Sequence, residues 1–542
     1  MRTFLTRLQG GNVGAAAVVV AAGILLSRVL GIIRDIIFAS MLGADGITDE
    51  YVAAFRIPDF ANYLLAGGFL TITFIPIFAK YIADDDESEA WFGFTAIIRW
   101  LGIGITALIG VAWVATPTII NALYPSFSEA QLESTIELTR IVLPAQFAFV
   151  VGAMFAAVQY TKGSFVIPTL APIVYNLGII VGGVAYAAAT GEPDPAGFIW
   201  GALFGAFIGN FALQIWGARR VGMRFEWSAT WKHPAVRTYV IIALPLMLGQ
   251  SIVALDETFM SVFGAMVDEG AATELQYARR TMFVPVGVIA QAAAVAAYPT
   301  LARLFAEGNR PRLLATVNRA LKYVLVLSIC AAAIAVAMSV PIIRVLFERG
   351  QFSPESTSAA ASALVMYALA IPVWGALQII TRAFYARRQM WTPVIVGTVA
   401  TLVAVPVYVV LERSYGIEGV AFASVLTLGG YTTALLVIWY RPEDTRTGLV
   451  SVLSSAGRAV PLAVPAGFGA FGASWFIITG LEGSPWIAAF IAAIVGLSVF
   501  AGISMSVGGW LYDVLWSNEK RRTERAALAD EITGKDDITA DV

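Results

Sequence analysis

The chain has 542 residues, 58% of them hydrophobic and 13% charged, with a formal net charge of −2; a soluble domain carries about 25% charged residues, so this is the composition of a membrane protein. Cys330 and His233 are its lone cysteine and histidine, which leaves no material for a disulfide framework, a thiol metal cluster or a Ser/His/Asp triad. There is no GxxxxGK(S/T) phosphate loop and hence no ATP-driven motor of its own, and the near-neutral charge argues against a nucleic-acid partner.

A transmembrane helix needs roughly 20 mostly apolar residues. Taken in chain order, such runs fall at 14–39, 53–80, 90–115, 139–161, 165–190, 196–218, 236–266, 274–303, 316–346, 357–386, 392–412, 416–440, 457–479 and 485–515. The expected fold is therefore all-α and polytopic, with fourteen spans. The first run has the basic start of a secretory signal, but it continues into a charged helix and many spans follow, so it reads as a retained span. Span 2 is interrupted by Arg56, Pro58 and Asp59, and span 8 contains Arg279, Arg280 and Pro285.

Loop charges set the expected orientation, because Lys and Arg collect on the cytoplasmic side. One set of loops, from "GADGITDEY" to "GLEGSPW", holds only Arg349 and Arg413. The other set includes "GARRVGMRFEWSATWKHPAVR", "RLFAEGNRPR", "YARRQMW" and "WYRPEDTRTG", and both termini fall with it, in the cytoplasm. His233, in "WKHPAVR", reads as a surface-loop residue, the acidic "ADDDESEA" as a solvated turn, and the tail after Trp516 as a frayed helix followed by disorder.

Two segments echo each other at an offset of six spans. "GAMFAAVQYTKGSFVIPTLAP" from Gly152 is matched by "GALQIITRAFYARRQMWTPVIVG" from Gly375, and "FRIPDFANYLLAGGFLTITFIPIFAKY" by "RRTMFVPVGVIAQAAAVAAYPTLARLF". An even offset preserves direction through the membrane, as in parallel repeats. The expected organisation is two pseudo-symmetric six-helix lobes, 1–222 and 223–445, then two C-terminal helices in 446–516 and a cytoplasmic tail, 517–542.

Charges inside spans cost at least about 2.5–3.5 kcal/mol each and usually face a partner or a wet cavity. In "SRVLGIIRDIIFAS", Arg28 and Asp35 lie seven residues apart, nearly on one helical face, with Arg34 about 100° from Asp35. Arg56 and Asp59 flank Pro58 in span 2, and Arg279 and Arg280 precede Pro285 in span 8. Arginine outnumbers aspartate, and a guanidinium stays ionised and grips phosphate oxygens in pairs, so the expected substrate is anionic and phosphate-bearing. The structural alternative is that Arg34 and Asp35 neutralise each other or snorkel. Asp256 and Glu257, in "LDETF", suit either a coupling cation or proton or an interhelical ion pair.

Several motifs together carry a resemblance: "SRVLGIIRDIIFASMLGADGITDEYVAAFRIPDF", "FIPIFAKY", "FVIPTLAPIVYNLGII", "YARRTMFVPVG", "YPTLARLFAEGN", "ERGQFS" and "FYARRQMWTPV". They resemble the MurJ (MviN) lipid II flippases of the multidrug/oligosaccharidyl-lipid/polysaccharide (MOP) exporter superfamily, over most of spans 1–12. The resemblance implies a transporter, not an enzyme, in the bacterial cytoplasmic (inner) membrane. It would move the undecaprenyl-diphosphate-linked peptidoglycan precursor, lipid II, between leaflets by alternating access, as a monomer with the bilayer and the lipid as its partners. No cofactor is implied beyond coupling to Na+, a proton or the membrane potential, with Asp256 as the candidate ion site.

The same resemblance places Arg28, Arg34 and Arg280 in the substrate cavity and matches Asp49 to an acidic position of the first outer loop; together with Asp35, Arg56 and Arg279, taken from the charges inside the spans, these are the candidate substrate-binding residues. Arg279 stands where the family usually has an acid. Spans 13 and 14 are expected to form a groove for the lipid tail. After the span 2 proline the family reads Arg-Arg-x-Phe-x-Glu-Gly, whereas this chain has Asn62, Tyr63 and Gly67 at the charged positions, and polar positions of span 11 are Ala404 and Tyr408. These departures motivate two alternatives, export of another polyprenyl-diphosphate glycan and a non-transporting membrane subunit; the positive cavity disfavours a cationic drug.

Overall fold

The computed structural model describes residues 13–65, 69–84, 86–442, 445–480 and 484–506. Gly67, the end of span 14 and the tail 517–542 lie outside the described residues. Among those described, helices are the only regular secondary structure. The first lobe of the sequence contains α1 (Val13–Leu42), α2 (Gly46–Ala54), α3 (Arg56–Leu65), α4 (Phe69–Ala83), α5 (Glu87–Leu123), α6 (Glu129–Val142), α7 (Ala145–Thr161), α8 (Val166–Thr190), α9 (Pro195–Gly205) and α10 (Leu213–Arg220). Then come α11 (Pro234–Val267), α12 (Ala271–Val286), α13 (Ala292–Ala306), α14 (Arg310–Ala337), α15 (Ser339–Phe347), α16 (Pro354–Ala368), α17 (Ala370–Ala386), α18 (Trp391–Trp439), α19 (Arg446–Trp475) and α20 (Pro485–Ser506).

Nine helices among the described residues are long and apolar enough to cross a membrane, or ten if α16 and α17 form one span. The 49 residues of α18 are one of the nine, yet at 1.5 Å per residue they would reach far beyond a hydrocarbon core of about 30 Å. Gly416 resolves this: at φ 55° and ψ −128° it leaves helical geometry, a conformation that costs a residue with a side chain far more than glycine. α18 is thus expected spans 11 and 12 joined end to end. Span 2 is interrupted near its start, with Phe55 in the turn between α2 and α3.

Local chemistry sets where helices start. Asp45 and Ser128 form capping boxes with Thr48 and Gln131 at the starts of α2 and α6, each satisfying backbone N–H groups that the first turn leaves orphaned. His233 does the same for α11: its Nδ1 accepts the Ala235 N–H at 3.1 Å, with Pro234 opening the helix. The surface-loop reading of His233 is therefore corrected. It is buried, and its Nε2 lies 2.8 Å from Glu89 Oε1, which also gives the acidic "ADDDESEA" turn a packing role.

The chain divides into two compact units, one of residues 1–282, 342–367 and 388–435, the other of 283–341, 368–387 and 436–542. In the first, Phe74, Phe78, Trp91, Phe94 and Phe155 interlock α4, α5 and α7 through tilted and edge-on ring contacts, the arrangement that ring quadrupoles favour. The same unit packs α8 on α9 through a pair of glycine repeats, Gly178 and Gly182 against Gly201 and Gly205. A Cβ on Gly201 would lie 2.4 Å from the Gly178 carbonyl oxygen, so close backbone approach replaces side-chain packing, as small-residue repeats allow in lipid. In the second unit, α14 packs on α19, and a Cβ on Gly467 would come within 3.0 Å of the Ala333 carbonyl.

Candidate functional site

Two charged networks lie inside the first unit, and both involve consecutive arginines of α12. In the first, Arg34 of α1 grips Asp35 Oδ1 through Nε at 3.0 Å and Nη2 at 2.9 Å, while its Nη1 donates to Asn176 Oδ1 of α8 at 3.0 Å. Arg280 of α12 donates through Nη1 to the same oxygen of Asp35. Two cations thus converge on one buried carboxylate, and Asp35 ties α1 to α12.

The second network faces α11. Arg279 Nη1 lies 2.5 Å from Asp256 Oδ2, and the other oxygen of Asp256 accepts from Tyr408 Oη at 3.1 Å and Ser424 Oγ at 2.9 Å. Arg279 Nη2 is 3.8 Å from Glu257 Oε1, which also accepts from Tyr63 Oη at 3.4 Å. Arg56 completes the chain: its Nε donates to the Val52 carbonyl at 3.0 Å, Nη1 lies 3.8 Å from Glu257 and Nη2 3.4 Å from Asp59. Neighbours on a helix point about 100° apart, which is how Arg279 and Arg280 serve different networks.

Across both networks four arginines (34, 56, 279, 280) meet four carboxylates (35, 59, 256, 257). The cationic excess expected from the sequence is therefore neutralised inside the protein in this state, and the local pairing of Arg34 with Asp35 is present. Arg28 adds a further charge: it is exposed on α1, six residues and about 9 Å before Arg34.

The expected ion site at Asp256 does not fit a bound cation in this geometry. Arg279, Tyr408 and Ser424 all donate to it, so a guanidinium already stands where the cation would, and a second positive charge there would be repelled. A space of about 20 Å³ lined by Asp256, Ala404 and Thr427 has room for about one water. Among the described residues no group of three or more His, Cys, Asp or Glu is placed to hold a metal ion.

Asp49 stands apart from the arginines. It is buried at the start of α12, accepting the Gly270 N–H at 2.9 Å, the Thr273 N–H at 2.8 Å and the Thr273 hydroxyl at 2.7 Å. A carboxylate from the first turn of α2 caps a helix 221 to 224 positions away in sequence, using the positive end of its dipole. Burial outweighs these hydrogen bonds and pushes its pKa up to about 7.

At the positions where the family's charges are replaced, Tyr63 is bonded to Glu257, as above, and Asn62 lines a cavity of about 200 Å³ with Phe149, Pro168, Asn210 and Gln214. Glu257, open between two roles from the sequence, is the hub of the second network. Asn176, a single amide in the apolar "PIVYNLGII", was a visible signal; Ser424 in "AFAS" was not.

In the second unit a cavity of about 520 Å³ runs between α14 and α19, lined by Ala333, Val336, Ala337, Val464, Gly467 and Phe468 among others, with Leu369 and Pro372 at its side. Its lining is wholly apolar.

The profile of the family described as lipid II flippase MurJ matches residues 38–489. This chain belongs to that family. The probable lipid II flippase MurJ of Rhizobium meliloti (strain 1021) is 30% identical over 421 residues, covering 76% of this chain and 77% of its own. That of Vibrio cholerae serotype O1 is 25% identical over 423 residues, covering 76% and 79%. Among solved structures, a lipid II flippase MurJ in an inward closed conformation superposes with a TM-score of 0.73 at 21% identity, covering 90% of this chain and 98% of that one. An inward-facing multidrug resistance MATE family transporter of the MOP superfamily gives 0.62 at 16% identity, covering 79% and 95%. The fold is the MOP exporter fold of a multi-pass membrane protein, as the motifs implied.

Proposed function

We propose that this protein moves lipid II from the inner to the outer leaflet of the bacterial cytoplasmic membrane by alternating access. It acts as a monomeric transporter with both termini in the cytoplasm and makes or breaks no covalent bond. The observation that carries this reading is the convergence of Arg34 and Arg280 on Asp35. Asp35 holds the place of an anionic ligand: a diphosphate has more charge and more acceptor oxygens than one carboxylate, and two guanidinium forks suit it. Its arrival displaces Asp35 from Arg280 and so loosens α1 from α12. A substrate drives a conformational change only through such differential binding.

Arg28, nearer the start of α1, extends the cationic track. The Asp59, Arg56, Glu257, Arg279, Asp256 network is read as a neutral scaffold joining α3, α11 and α12, with Arg279 an internal counter-ion to Asp256. The halves 1–222 and 223–445 supply the rocking bodies, and the apolar cavity beside α19, in 446–516, takes part of the polyprenyl tail. Moving an anionic head out of an inside-negative compartment is favoured by about 2.3 kcal/mol per charge per 100 mV, so the membrane potential is the proposed source of energy.

The test is rescue of a flippase-depleted bacterium, scored by lipid II in the outer leaflet. The wild-type chain should restore it, and Arg280→Ala and Arg28→Ala should not. Full rescue by the double variant would remove these arginines from the site, whereas failure of the wild-type chain with a well-folded product would point to another polyprenyl-diphosphate lipid.

A further inference from the structure

The segment 221–233, between α10 and α11, is pinned to α5 in an unusual way. Arg99 donates to the carbonyls of Ala229 at 2.9 Å and Trp227 at 2.8 Å, and its guanidinium carbon lies 5.8 and 5.6 Å from the ring centres of Trp227 and Trp231. Trp100 Nε1 donates to the Trp231 carbonyl at 2.9 Å, and the two rings meet edge-on at 5.5 Å. Trp227 is nevertheless 81% exposed, and Trp100 and Trp231 about half exposed. Exposed tryptophans of this kind belong at the membrane interface.

Beside this cluster is a cavity of about 280 Å³ lined by Ile97, Trp100, Leu101, Tyr239, Val240 and Ala243, with Val236. Trp100 and Val240, each about half exposed, open it to the outside. Every lining side chain is apolar or aromatic, and one carries a polar atom in need of a partner: Tyr239 is 3% exposed and its hydroxyl is buried with no hydrogen bond. Leaving such a group unsatisfied is costly, which marks it as a place where a ligand oxygen belongs. Between positions 219 and 237 the chain carries Arg219, Arg220, Arg224, Lys232 and Arg237 against the single acid Glu226. Lys232 and Arg237 are exposed and flank the cavity residues.

We propose that this cavity binds one anionic phospholipid of the leaflet that the loop charges assign to the cytoplasm. An acyl chain fills the apolar pocket, an ester or glycerol oxygen accepts the Tyr239 hydroxyl, and the headgroup phosphate pairs with Lys232 and Arg237, as basic juxtamembrane residues do with anionic lipid. The site is separate from both charged networks and from the cavity beside α19. The bound lipid fixes segment 221–233 to the bilayer.

Native mass spectrometry of the full chain in detergent, titrated with dioleoyl phosphatidylglycerol or dioleoyl phosphatidylcholine, tests this. The wild-type protein should retain one phosphatidylglycerol at least tenfold more tightly than phosphatidylcholine. Val240→Trp fills the cavity from a half-exposed position and should abolish that retention while the melting temperature holds. The Lys232→Ala/Arg237→Ala variant should bring the two lipids to parity, and Tyr239→Phe should weaken both severalfold. Equal retention of the two lipids by the wild type, unchanged retention in Val240→Trp, or displacement by inorganic phosphate alone would overturn the proposal.

Discussion

Arg280 donates to Asp35 across 245 positions of sequence, and the oxygen it reaches is the one Arg34 already holds. The pair gives α1 and α12 a joint whose strength depends on what else competes for the two guanidiniums. Asp35→Asn removes the competing charge and leaves both arginines in place. Hydrogen bonds to charged groups are worth about 1.5–3 kcal/mol, so lipid II should bind roughly tenfold more tightly or better, while turnover falls because the empty protein no longer returns to the paired state. Lipid II titration of the purified variant beside a transport assay checks this, and weaker binding by Asp35→Asn would sink the placeholder role.

Arg279 and Asp256 form the buried counterpart. Removing one partner of a buried pair costs about 3–5 kcal/mol, because the other charge is left uncompensated, whereas replacing both by apolar residues is often neutral. Arg279→Ala should therefore lose most folded protein in a detergent melting assay, and Arg279→Met/Asp256→Leu should recover it. If Arg279 is the counter-ion of Asp256, transport by the wild type is also unchanged when Na+ is replaced by K+ at constant membrane potential. A strict Na+ requirement would return Asp256 to ion binding.

The cap that Asp49 places on α12 responds to pH. Its pKa, ordinarily 3.8, is raised to about 7 by burial, so the folded state keeps a proton that the unfolded chain releases. The sign follows: the stability linked to this proton is fully present below about pH 4, declines as the pH rises toward 7, and is gone above it. Between pH 5 and 7.5 the wild-type melting temperature should fall by on the order of a few degrees more than that of Asp49→Asn, which does not titrate and whose one amide oxygen can still accept from Thr273, with its NH2 left on the Gly270 side. Parallel curves for the two proteins would show that Asp49 stays ionised.

Much of this is legible in the sequence. Apolar runs of about 20 residues anticipate an all-helical multi-pass fold and the division at Gly416 within α18, because hydrocarbon thickness imposes a length that composition records. The local pairing of Arg34 with Asp35 was also legible, being a contact between neighbours. The partners of Arg279 and Arg280 were not: which of two adjacent arginines turns toward α1 and which toward α11 is decided by how α12 is rotated in its packing, and no periodicity encodes that. For Asp49, an outer-loop acid gives no sign in the sequence that the start of α12 lies beside it. The burial of His233 is hidden for a similar reason, since its neighbours in sequence are basic and exposed while its ring packs against Glu89.

The glycine repeats of α8 and α9 offer a graded test of the fold itself. Gly178, Gly201 and Gly205 bring two backbones so close that a Cβ on Gly178 would meet the Gly205 Cα at 2.6 Å, and one on Gly201 the Gly178 carbonyl at 2.4 Å. Both are backbone atoms with no rotamer to yield, so the helices must separate. Overpacking typically costs about 1–3 kcal/mol per site, and α8 carries Asn176, whose side chain accepts from Arg34. Displacing α8 therefore disturbs the first charged network as well as the packing. Gly201→Ala should lower the melting temperature measurably and weaken lipid II binding, and Gly201→Leu should fail to accumulate in the membrane. Gly110→Ala, where a Cβ would meet nothing within 4 Å, is the matched control and should leave folding and transport unchanged. If Gly201→Ala and Gly110→Ala behave alike, the close approach of α8 and α9 does not hold the site in place.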